Sequence, residues 1–444
     1  MTTLKIDFAK PAGNIKPMNA VNNGPVGGKI RNNGNFKLFE EAEIPYARNH
    51  DASFCAEYGG EFSVDVHNIF RNFDADENDP SSYMFTATDE YIRITADAGT
   101  ETFYRLGSKI EHGFKYGTYP PKDFAKWARI CEHIIRHYNE GWADGFNYDI
   151  KYWEIWNEPD CQNADGSYPC WQGTEEQFID LYEVTAKHLK KCFPNLKIGG
   201  PAFCSPWRND FKRNFLKAVK EREIPLDFYS YHSYANTPGG ICDAALEAED
   251  ALSEYGLDGT FMVLDEWNYV KGWLGDDWRY TLVQEKNIKG AAFIAGSMSV
   301  CQNTNLGMLM YYDARPCAMN GLFNAYTYEP LKGYYSFIMF RELKRLGTHI
   351  PTERCVDDIY SCAATDKRNG AIMLTHFNDD ENTPAKEVKL EITGITKNAK
   401  VEYYLLDDTH DLELIREETV TSDEFASYIK MDNYTSVLMK IKSL

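Results

Sequence analysis

The sequence predicts a (β/α)8 barrel followed by an antiparallel β-sandwich. The central part of the chain alternates strand-like runs with segments in which apolar residues recur every three or four positions. Such alternation implies parallel strands joined by helical crossovers. Two of the runs end abruptly in polar residues, which is typical of the carboxyl ends of barrel strands. A chain of 444 residues, 43% of them hydrophobic, is long enough for a barrel of about 250 residues and a second unit.

Four strands are predicted before the first regular helix. One, at residues 3–8, lies outside the barrel, and an Asn-Asn-Gly-Pro cluster at 22–25 is predicted to break the chain after it. The first three barrel strands are predicted at 45–51, 62–67 and 101–107, where β-favouring residues alternate with polar ones.

Five further strands alternate with helices from residue 120 onward. A helix is predicted after Pro120-Pro121, because proline suits the first turn and apolar residues then recur at helical spacing up to Tyr138. The next strand, 151–156, ends before Pro159, which cannot donate to a strand ladder. The other strands are predicted at 196–201, 226–232, 260–266 and 306–312, and the other helices at 178–189, 211–219, 243–255, 284–300 and 334–346. The barrel strands therefore number eight.

The pattern changes near Gly347 to short alternating runs, such as 370–375 and 400–405, separated by Asn, Asp and Gly. This pattern predicts antiparallel β-structure. The predicted division is an N-terminal strand at 1–16 that joins the β-sandwich, a catalytic barrel at 17–346 and a C-terminal β-sandwich at 347–444.

Composition limits the partners of the protein. A formal net charge of −20 argues against nucleic acid, which is bound through clustered Lys and Arg. We expect no membrane association, because no apolar run approaches the length of a span, and a cytoplasmic location. Eleven cysteines without a CxxC pair indicate reduced thiols. A bridge between Cys161 and Cys170 is the minor alternative.

Two glutamates carry the predicted chemistry. Glu158 follows one strand directly and Glu266 ends another, so both should face the mouth of the barrel. Such a pair suits cleavage of a glycosidic bond, which needs one carboxyl to protonate the leaving oxygen and one carboxylate to attack or stabilise the sugar cation. The alternative is two ordinary surface carboxylates. Glu154, further back in its strand, is predicted to be structural.

The motifs at these two positions resemble those of clan A glycoside hydrolases. WNEP at residues 156–159 resembles the acid/base motif of the clan, and LDEWN at 264–268 resembles its nucleophile strand. The chain is similar more narrowly to glycoside hydrolase family 39, the family of β-xylosidases and α-L-iduronidases. The supporting motifs are KP at 16–17, NNGP at 22–25, RNH at 48–50 and DFYSYHSY at 227–234.

The resemblance implies a role for each matching residue. Glu158 would be the general acid/base, Glu266 the nucleophile, and Asn157 the residue that bonds the sugar 2-hydroxyl. His50 and His232 match positions that contact the glycone. The implied mechanism retains configuration and needs the two carboxyl groups about 5 to 5.5 Å apart.

Other residues near the strand ends are further candidates for substrate binding. His67 and Tyr234 could contact a sugar, although each could equally serve packing. Tyr312 ends the eighth predicted strand and could line the floor of the site. Trp267, with Trp273 and Trp278 as additional candidates, could stack on a sugar face. Arg105 could pair with a carboxylated sugar. The sequence contains no HExxH motif, no CxxC pair and no phosphate-binding glycine loop, so we expect no metal and no cofactor.

The first functional prediction is therefore a retaining, exo-acting β-xylosidase on small plant-derived oligosaccharides. The alternatives are an α-L-arabinosidase, a uronic-acid glycosidase, and a sugar-binding barrel without turnover. A homo-oligomer is left open.

Overall fold

The computed structural model of the protein describes residues 1–29, 34–50, 64–107 and 117–444. Within them, eight parallel strands form a closed barrel in chain order, and the last strand pairs with the first. One strand precedes these eight and lies outside the barrel. The nine strands are β1 (Thr2–Asp7), β2 (Ala20–Asn22), β3 (Tyr46–Asn49), β4 (Glu101–Leu106), β5 (Tyr152–Ile155), β6 (Lys197–Phe203), β7 (Phe228–Ala235), β8 (Phe261–Tyr269) and β9 (Met308–Tyr311).

Helices follow most barrel strands and begin and end at the residues that suit their termini. The side chain of Asp123 accepts from the amide of Lys126 at the start of one helix, and Gly141, with a φ of 72°, ends it. Thr174 and Gln177 form a capping box on the next. The described helices are α1 (Phe36–Glu41), α2 (Val66–Ile69), α3 (Thr86–Asp97), α4 (Phe124–Glu140), α5 (Glu175–Cys192), α6 (Asp210–Glu221), α7 (Pro238–Glu254), α8 (Gly275–Gln284), α9 (Ile288–Gln302) and α10 (Lys332–Leu346).

The C-terminal strands form two sheets around a separate apolar core. A six-stranded antiparallel sheet has the order β10-β11-β12-β17-β14-β15, and a three-stranded sheet has the order β1-β13-β16, in which β1 runs parallel to β13. The boundaries at residues 17 and 347 stay predictions. The C-terminal strands are β10 (Thr348–Ile350), β11 (Ile359–Thr365), β12 (Gly370–His376), β13 (Lys386–Thr393), β14 (Ala399–Leu406), β15 (Asp411–Val420), β16 (Glu424–Met431) and β17 (Ser436–Ser443).

The predicted fold class is confirmed, but two early elements differ from their predictions. The strand predicted at 62–67 is wrong in its described part, because residues 66–69 form α2; residues 62 and 63 lie outside the described residues. The first barrel strand is instead β2, which ends at Asn22, the first residue of the cluster predicted to break the chain. The strand predicted at 45–51 is thus the second of the barrel, and its last residue, Asp51, lies outside the described residues.

The interior of the barrel is layered. Inward-facing residues near the amino ends of the strands are apolar, among them Phe103, Phe228, Val263 and Met308. Side chains on one face of a strand recur at every second residue. Two residues after Phe228 and Val263, the interior becomes polar at Ser230 and Asp265. The apolar layer therefore fills the base of the barrel and leaves polar side chains toward the carboxyl ends of the strands.

Among the described helices, none combines the length with the continuous apolar character that crossing a membrane requires.

A buried lysine joins the barrel to the C-terminal sheets, which pack on α9 and α10. The Nζ of Lys289 on α9 lies 2.8 Å from Oδ1 of Asp379, a residue that follows β12, and it donates to the hydroxyl of Tyr280 at 2.9 Å. The hydroxyl of Tyr269 donates to the same carboxylate at 2.8 Å. The Lys289 side chain is 1% exposed, so its charge depends on Asp379 for compensation.

We expect Lys289→Met to lower the free energy of unfolding by roughly 3 kcal/mol, because Asp379 would be left largely buried without its cation. Urea denaturation followed by fluorescence measures this change. Lys217→Met on the exposed face of α6 is the matched control, and Asp379→Asn combined with Lys289→Met should recover part of the loss. An unfolding midpoint equal to that of the wild type would contradict the prediction.

Candidate active site

A β-bulge in β8 sets the geometry of the site. The pairing of β7 with β8 shifts by one residue, from Tyr231 opposite Leu264 to His232 opposite Glu266, so that Asp265 is an extra residue on β8. Bulges change the direction of neighbouring side chains. As a result two consecutive residues, Asp265 and Glu266, both contact the polar interior of the barrel.

Arg48 on β3 lies at the centre of this interior and is fully buried. Its Nε donates to Glu154 at 2.6 Å and lies 3.3 Å from Oδ2 of Asp265. Its Nη1 donates to Glu266 at 2.9 Å, and its Nη2 donates to the side-chain oxygen of Asn157 at 2.5 Å. One guanidinium therefore links β3, β5, β8 and the turn after β5.

Glu266 is held by several donors on its two oxygens. Oε1 lies 2.9 Å from Nη1 of Arg48 and 2.9 Å from Nε2 of His50. Oε2 accepts from the hydroxyl of Tyr234 at 2.9 Å. Burial raises the pKa of Glu266, but His232, His50 and Arg48 outweigh it and hold this pKa well below the usual range. Glu266 is therefore a positioned carboxylate at neutral pH.

Glu158 lies in the turn after β5, opposite Glu266. The turn places Trp156 and Glu158 at positive φ, 76° and 46°, and the amide of Glu158 donates to the carbonyl of Ala202 at 2.8 Å. Its side chain is 13% exposed, against 5% for Glu266. One carboxylate oxygen of Glu158 and one of Glu266 lie within 4.8 Å of each other.

His232 lies between the two glutamates. Its Nδ1 is 3.0 Å from Oε1 of Glu158 and 3.4 Å from Oε2 of Glu266, and its Nε2 is 3.7 Å from Oδ1 of Asp265. Burial lowers the pKa of His232, but the charges of Glu266 and Asp265 exceed that effect and raise it well above its ordinary value. The imidazole is thus protonated at neutral pH and lies within hydrogen-bond distance of Glu158.

Asn157 presents a buried donor to the site. Its side-chain oxygen accepts from Arg48 and lies 3.2 Å from Nε2 of His50. These contacts orient the amide, whose Nδ2 is buried and has no hydrogen-bond partner among the described residues. A buried donor without an acceptor is costly, so a ligand oxygen at this point would be favoured.

Glu154 and Asp265 share the charge of Arg48 in the barrel interior. Both are fully buried. Within the described ranges, the side-chain oxygens of Asp265 have no hydrogen-bond donor of suitable geometry unless Glu154 itself carries a proton. Burial and the neighbouring Asp265 raise the pKa of Glu154 to about 8, against the opposing charge of Arg48. The hydroxyl of Ser230 bonds the other oxygen of Glu154 at 2.6 Å.

Two of the further predicted residues lie beside the pair. Tyr234 contacts Glu266 directly, and its ring lies 5.0 Å from the exposed ring of Trp273, which stacks on Trp278 at 5.4 Å. The ring of Tyr312 meets that of His50 edge to face at 5.7 Å. An aromatic wall thus extends from the carboxylates toward solvent.

Three predicted residues are placed elsewhere. Arg105 is buried and its Nη2 lies 2.5 Å from Oδ1 of Asp65, so an acidic side chain already balances its charge. His67 lies on α2 beside a separate cavity of about 240 Å³. Trp267 is fully buried between Phe293 and Tyr311. The bulge at Asp265 is the reason, because it turns Glu266 inward and leaves Trp267 on the helix side of β8.

Several residues of the site were not singled out as site residues from the sequence. Arg48 was noted only as part of a motif, and Asn22, whose side-chain oxygen accepts from Arg48 at 3.2 Å, lies in the segment predicted as a break. Asp265, directly before the predicted nucleophile, is a site residue that the sequence motifs do not single out. A charged residue inside an otherwise apolar strand, as at Arg48 and Glu154, was the available signal.

Cys161 and Cys170, the minor alternative for a bridge, are not joined to each other by a disulfide.

Comparisons with known proteins find similar glycoside hydrolases. Residues 43–260 match the family model described as Glycosyl hydrolases family 39. A β-xylosidase of Geobacillus stearothermophilus is 30% identical over 209 residues, which are 44% of this chain and 38% of that protein. The match thus spans well under half the length of this curated relative.

Solved structures resemble the chain over its whole length. A glucosidase from Croceicoccus marinus has a TM-score of 0.80 at 21% identity and covers 100% of this chain and 99% of its own. A monomeric β-xylosidase from Caulobacter crescentus has a TM-score of 0.73 at 16% identity and covers 100% of both chains. At these identities the likeness establishes the shared fold.

We expect Glu154→Gln to preserve stability at pH 6 and to remove a pH dependence that the wild type has. In the wild type the folded protein keeps a proton on Glu154 up to about pH 8, whereas the unfolded chain loses it near the ordinary value of about 4.3. Folding therefore binds a proton in this window, and wild-type stability falls relative to the variant as pH rises through it.

The free energy of unfolding of both proteins, measured between pH 5 and pH 8.5, tests this expectation. Glu221→Gln on the exposed face of α6 is the control, for which the difference from wild type should not vary with pH. A constant difference between wild type and Glu154→Gln would mean that Glu154 is ionised throughout.

Proposed function

We propose that the chain, whose residues 43–260 match the model of glycosyl hydrolases family 39, is a member of that family and a retaining glycoside hydrolase. Exo-acting β-xylosidase activity on small oligosaccharides is its first proposed function. The named β-xylosidases among its relatives support this substrate class. A carbohydrate is accordingly the proposed partner. We also propose a cytoplasmic location, which the ten free cysteines of the described residues favour.

The observation that carries the proposal is the separation of Glu158 and Glu266. A retaining enzyme needs carboxyl groups about 5 to 5.5 Å apart, whereas an inverting one needs about 6.5 to 9.5 Å to admit a water between them. One oxygen of each carboxyl group lies within 4.8 Å of the other, which favours the shorter, retaining separation over the longer, inverting one. Direct attack by one carboxylate on the sugar is therefore favoured.

The electrostatics divide the roles of the two residues in the first step. Glu266 is ionised and its orientation is fixed by Arg48 and Tyr234, as a nucleophile requires. Glu158 is the more exposed of the two and would protonate the leaving oxygen. The proton held by His232, 3.0 Å from Oε1 of Glu158, lies on a direct hydrogen bond to this acid.

In the second step Glu158, now a carboxylate, would take a proton from water as that water attacks the glycosyl-enzyme bond at Glu266. Both substitutions occur at the same carbon from opposite faces, so the configuration is retained. Asn157 would donate from Nδ2 to the 2-hydroxyl beside the reacting carbon, since the described part of the chain offers this buried amide no acceptor. Hydrogen bonds to that hydroxyl strengthen in the transition state.

Arg105 gives little support to a uronic-acid substrate. The carboxylate of Asp65 already pairs with the Arg105 guanidinium that was predicted to bind a carboxylated sugar. A neutral glycone such as xylose needs no such cation. Turnover of a series of aryl glycosides distinguishes xylose from a larger neutral sugar.

We expect hydrolysis of an aryl β-D-xyloside by the wild type, with Glu266→Ala inactive because the nucleophile is lost. Glu158→Ala should lose about 10²- to 10⁴-fold in kcat/KM on substrates with poor leaving groups and much less on a dinitrophenyl xyloside, which needs no protonation. Azide should rescue Glu158→Ala to the β-azide and Glu266→Ala to the α-azide. Kinetics with product analysis by NMR measures these outcomes.

The panel also contains aryl α-L-arabinosides, β-D-glucosides, β-D-galactosides and uronides, and Glu175→Ala on α5 is the control variant. Turnover of another glycoside with the same pattern of rescue would change the sugar and keep the mechanism. A wild type that binds oligosaccharides but hydrolyses none of the panel would exclude the exo-glycosidase proposal.

We expect Asn157→Ala to weaken kcat/KM for the xyloside by roughly tenfold to a hundredfold, the effect of one or two buried hydrogen bonds. The wild type should lose a similar factor on the 2-deoxy xyloside, and Asn157→Ala should lose little more on that substrate. Equal 2-deoxy penalties in the two proteins would mean that Asn157 does not contact the 2-hydroxyl.

A further inference from the structure

Three thiols lie beside Glu158. The Sγ of Cys170 is 3.8 Å from Oε2 of Glu158, and the Sγ atoms of Cys161 and Cys170 with a Glu158 oxygen all lie within 4.8 Å of one another. Cys204, at the end of β6, hydrogen bonds to Cys161. The proposed chemistry of Glu158 uses none of these sulfurs.

The backbone around the thiols is fixed by buried contacts. The carboxylate of Asp160 accepts from the amide of Cys204 at 2.9 Å and pairs with the buried Nζ of Lys212 at 2.5 Å. The amide of Cys161 donates to the carbonyl of Glu158 at 3.1 Å, and the carbonyl of Cys170 accepts from the indole of Trp156 at 2.8 Å. The three ligand atoms are therefore brought together by the fold.

We propose that Cys161, Cys170 and Glu158 form a binding site for a soft divalent cation of the Zn²⁺ type. With Zn–S bonds of about 2.3 Å and Zn–O bonds of about 2.0 Å, a tetrahedral site separates a sulfur from an oxygen by about 3.5 Å. The 3.8 Å between Cys170 and Glu158 is close to this separation.

Binding of a cation by these thiols should depend on pH. Cysteine binds a metal as the thiolate, so a bound cation displaces the thiol proton. Binding should therefore release protons and strengthen as pH rises.

Two other groups of described residues could compete for the ion. Glu132, His188 and Cys192 bring together three ligand atoms between α4 and α5, but Arg136 already pairs with Glu132 at 2.8 Å. Glu158, His232 and Glu266 form the other group. Neither offers two sulfurs, which is the feature that selects soft cations.

Occupation of the site would engage the carboxylate of Glu158 and so inhibit turnover. This inhibition rests on the proposed function, because it requires Glu158 to be the acid/base. Binding of the ion does not depend on that role, since the ligands are defined by geometry alone. The two can therefore be measured separately.

The test is titration of the full chain with Cd²⁺, which gives an ultraviolet charge-transfer absorption only when thiolates bind it. We expect one ion per chain with this absorption in the wild type. Cys161→Ser and Cys170→Ser should each reduce the absorption. Each should also weaken Cd²⁺ binding by more than the roughly tenfold to hundredfold expected when a residue that only orients a ligand is lost. Glu158→Gln should keep the absorption and bind more weakly, which tests the site without altering a thiol.

Cys192→Ser is the matched control and should bind Cd²⁺ as the wild type does, and equal urea midpoints establish that each variant is folded. No thiolate absorption in the wild type, or absorption lost only in Cys192→Ser, would overturn the proposal. Inhibition without thiolate absorption would place the ion at His232 and also overturn it. Binding that needs Cys161 and Cys170 in a chain without hydrolytic activity would support the metal site and refute the proposed function.

Discussion

The site depends on one buried guanidinium. Arg48 faces three carboxyl groups, Glu154, Asp265 and Glu266, in the interior of the barrel. Three anions around one cation would be unstable there. The balance closes because burial keeps a proton on Glu154 and the remaining anions keep a second one on His232. Within this set the cations Arg48 and His232 then balance the anions Asp265 and Glu266.

This balance changes during the proposed reaction. Formation of a sugar ester at Glu266 removes the largest favourable charge acting on His232, so the imidazole holds its proton less tightly than in the free enzyme. Glu158, whose Oε1 lies 3.0 Å from Nδ1 of His232, is a carboxylate at that point and must accept a proton from water. The cluster therefore links the state of the nucleophile to that of the acid/base through a single histidine.

The later barrel strands and the C-terminal sheets could be predicted from the sequence, because their runs are long enough for periodicity to distinguish strand from helix. β2 has three residues, too few for any period, and its polar end resembles a turn. Residues 64–67 alternate like a strand but begin a short helix after Asp65. In both cases the surrounding barrel decides the conformation, and a local pattern does not contain that constraint.

The candidate site was predictable where it depends on strand ends and unpredictable where it depends on register. Parallel strands bring their carboxyl ends to one face, so Glu158 and Glu266 could be placed opposite each other from the sequence. Strict alternation from Val263 would instead turn Asp265 and Trp267 inward. The bulge reverses this for Trp267 and brings Glu266 to Arg48. Nothing in the sequence around residues 264–268 distinguishes the regular register from the bulged one. The only indication is that the buried cation Arg48 requires acidic partners in the barrel interior. An arginine at an inward position of one strand is therefore a reason to expect acidic partners on the strands that face it. Where two acidic residues are adjacent on such a strand, a bulge is expected there.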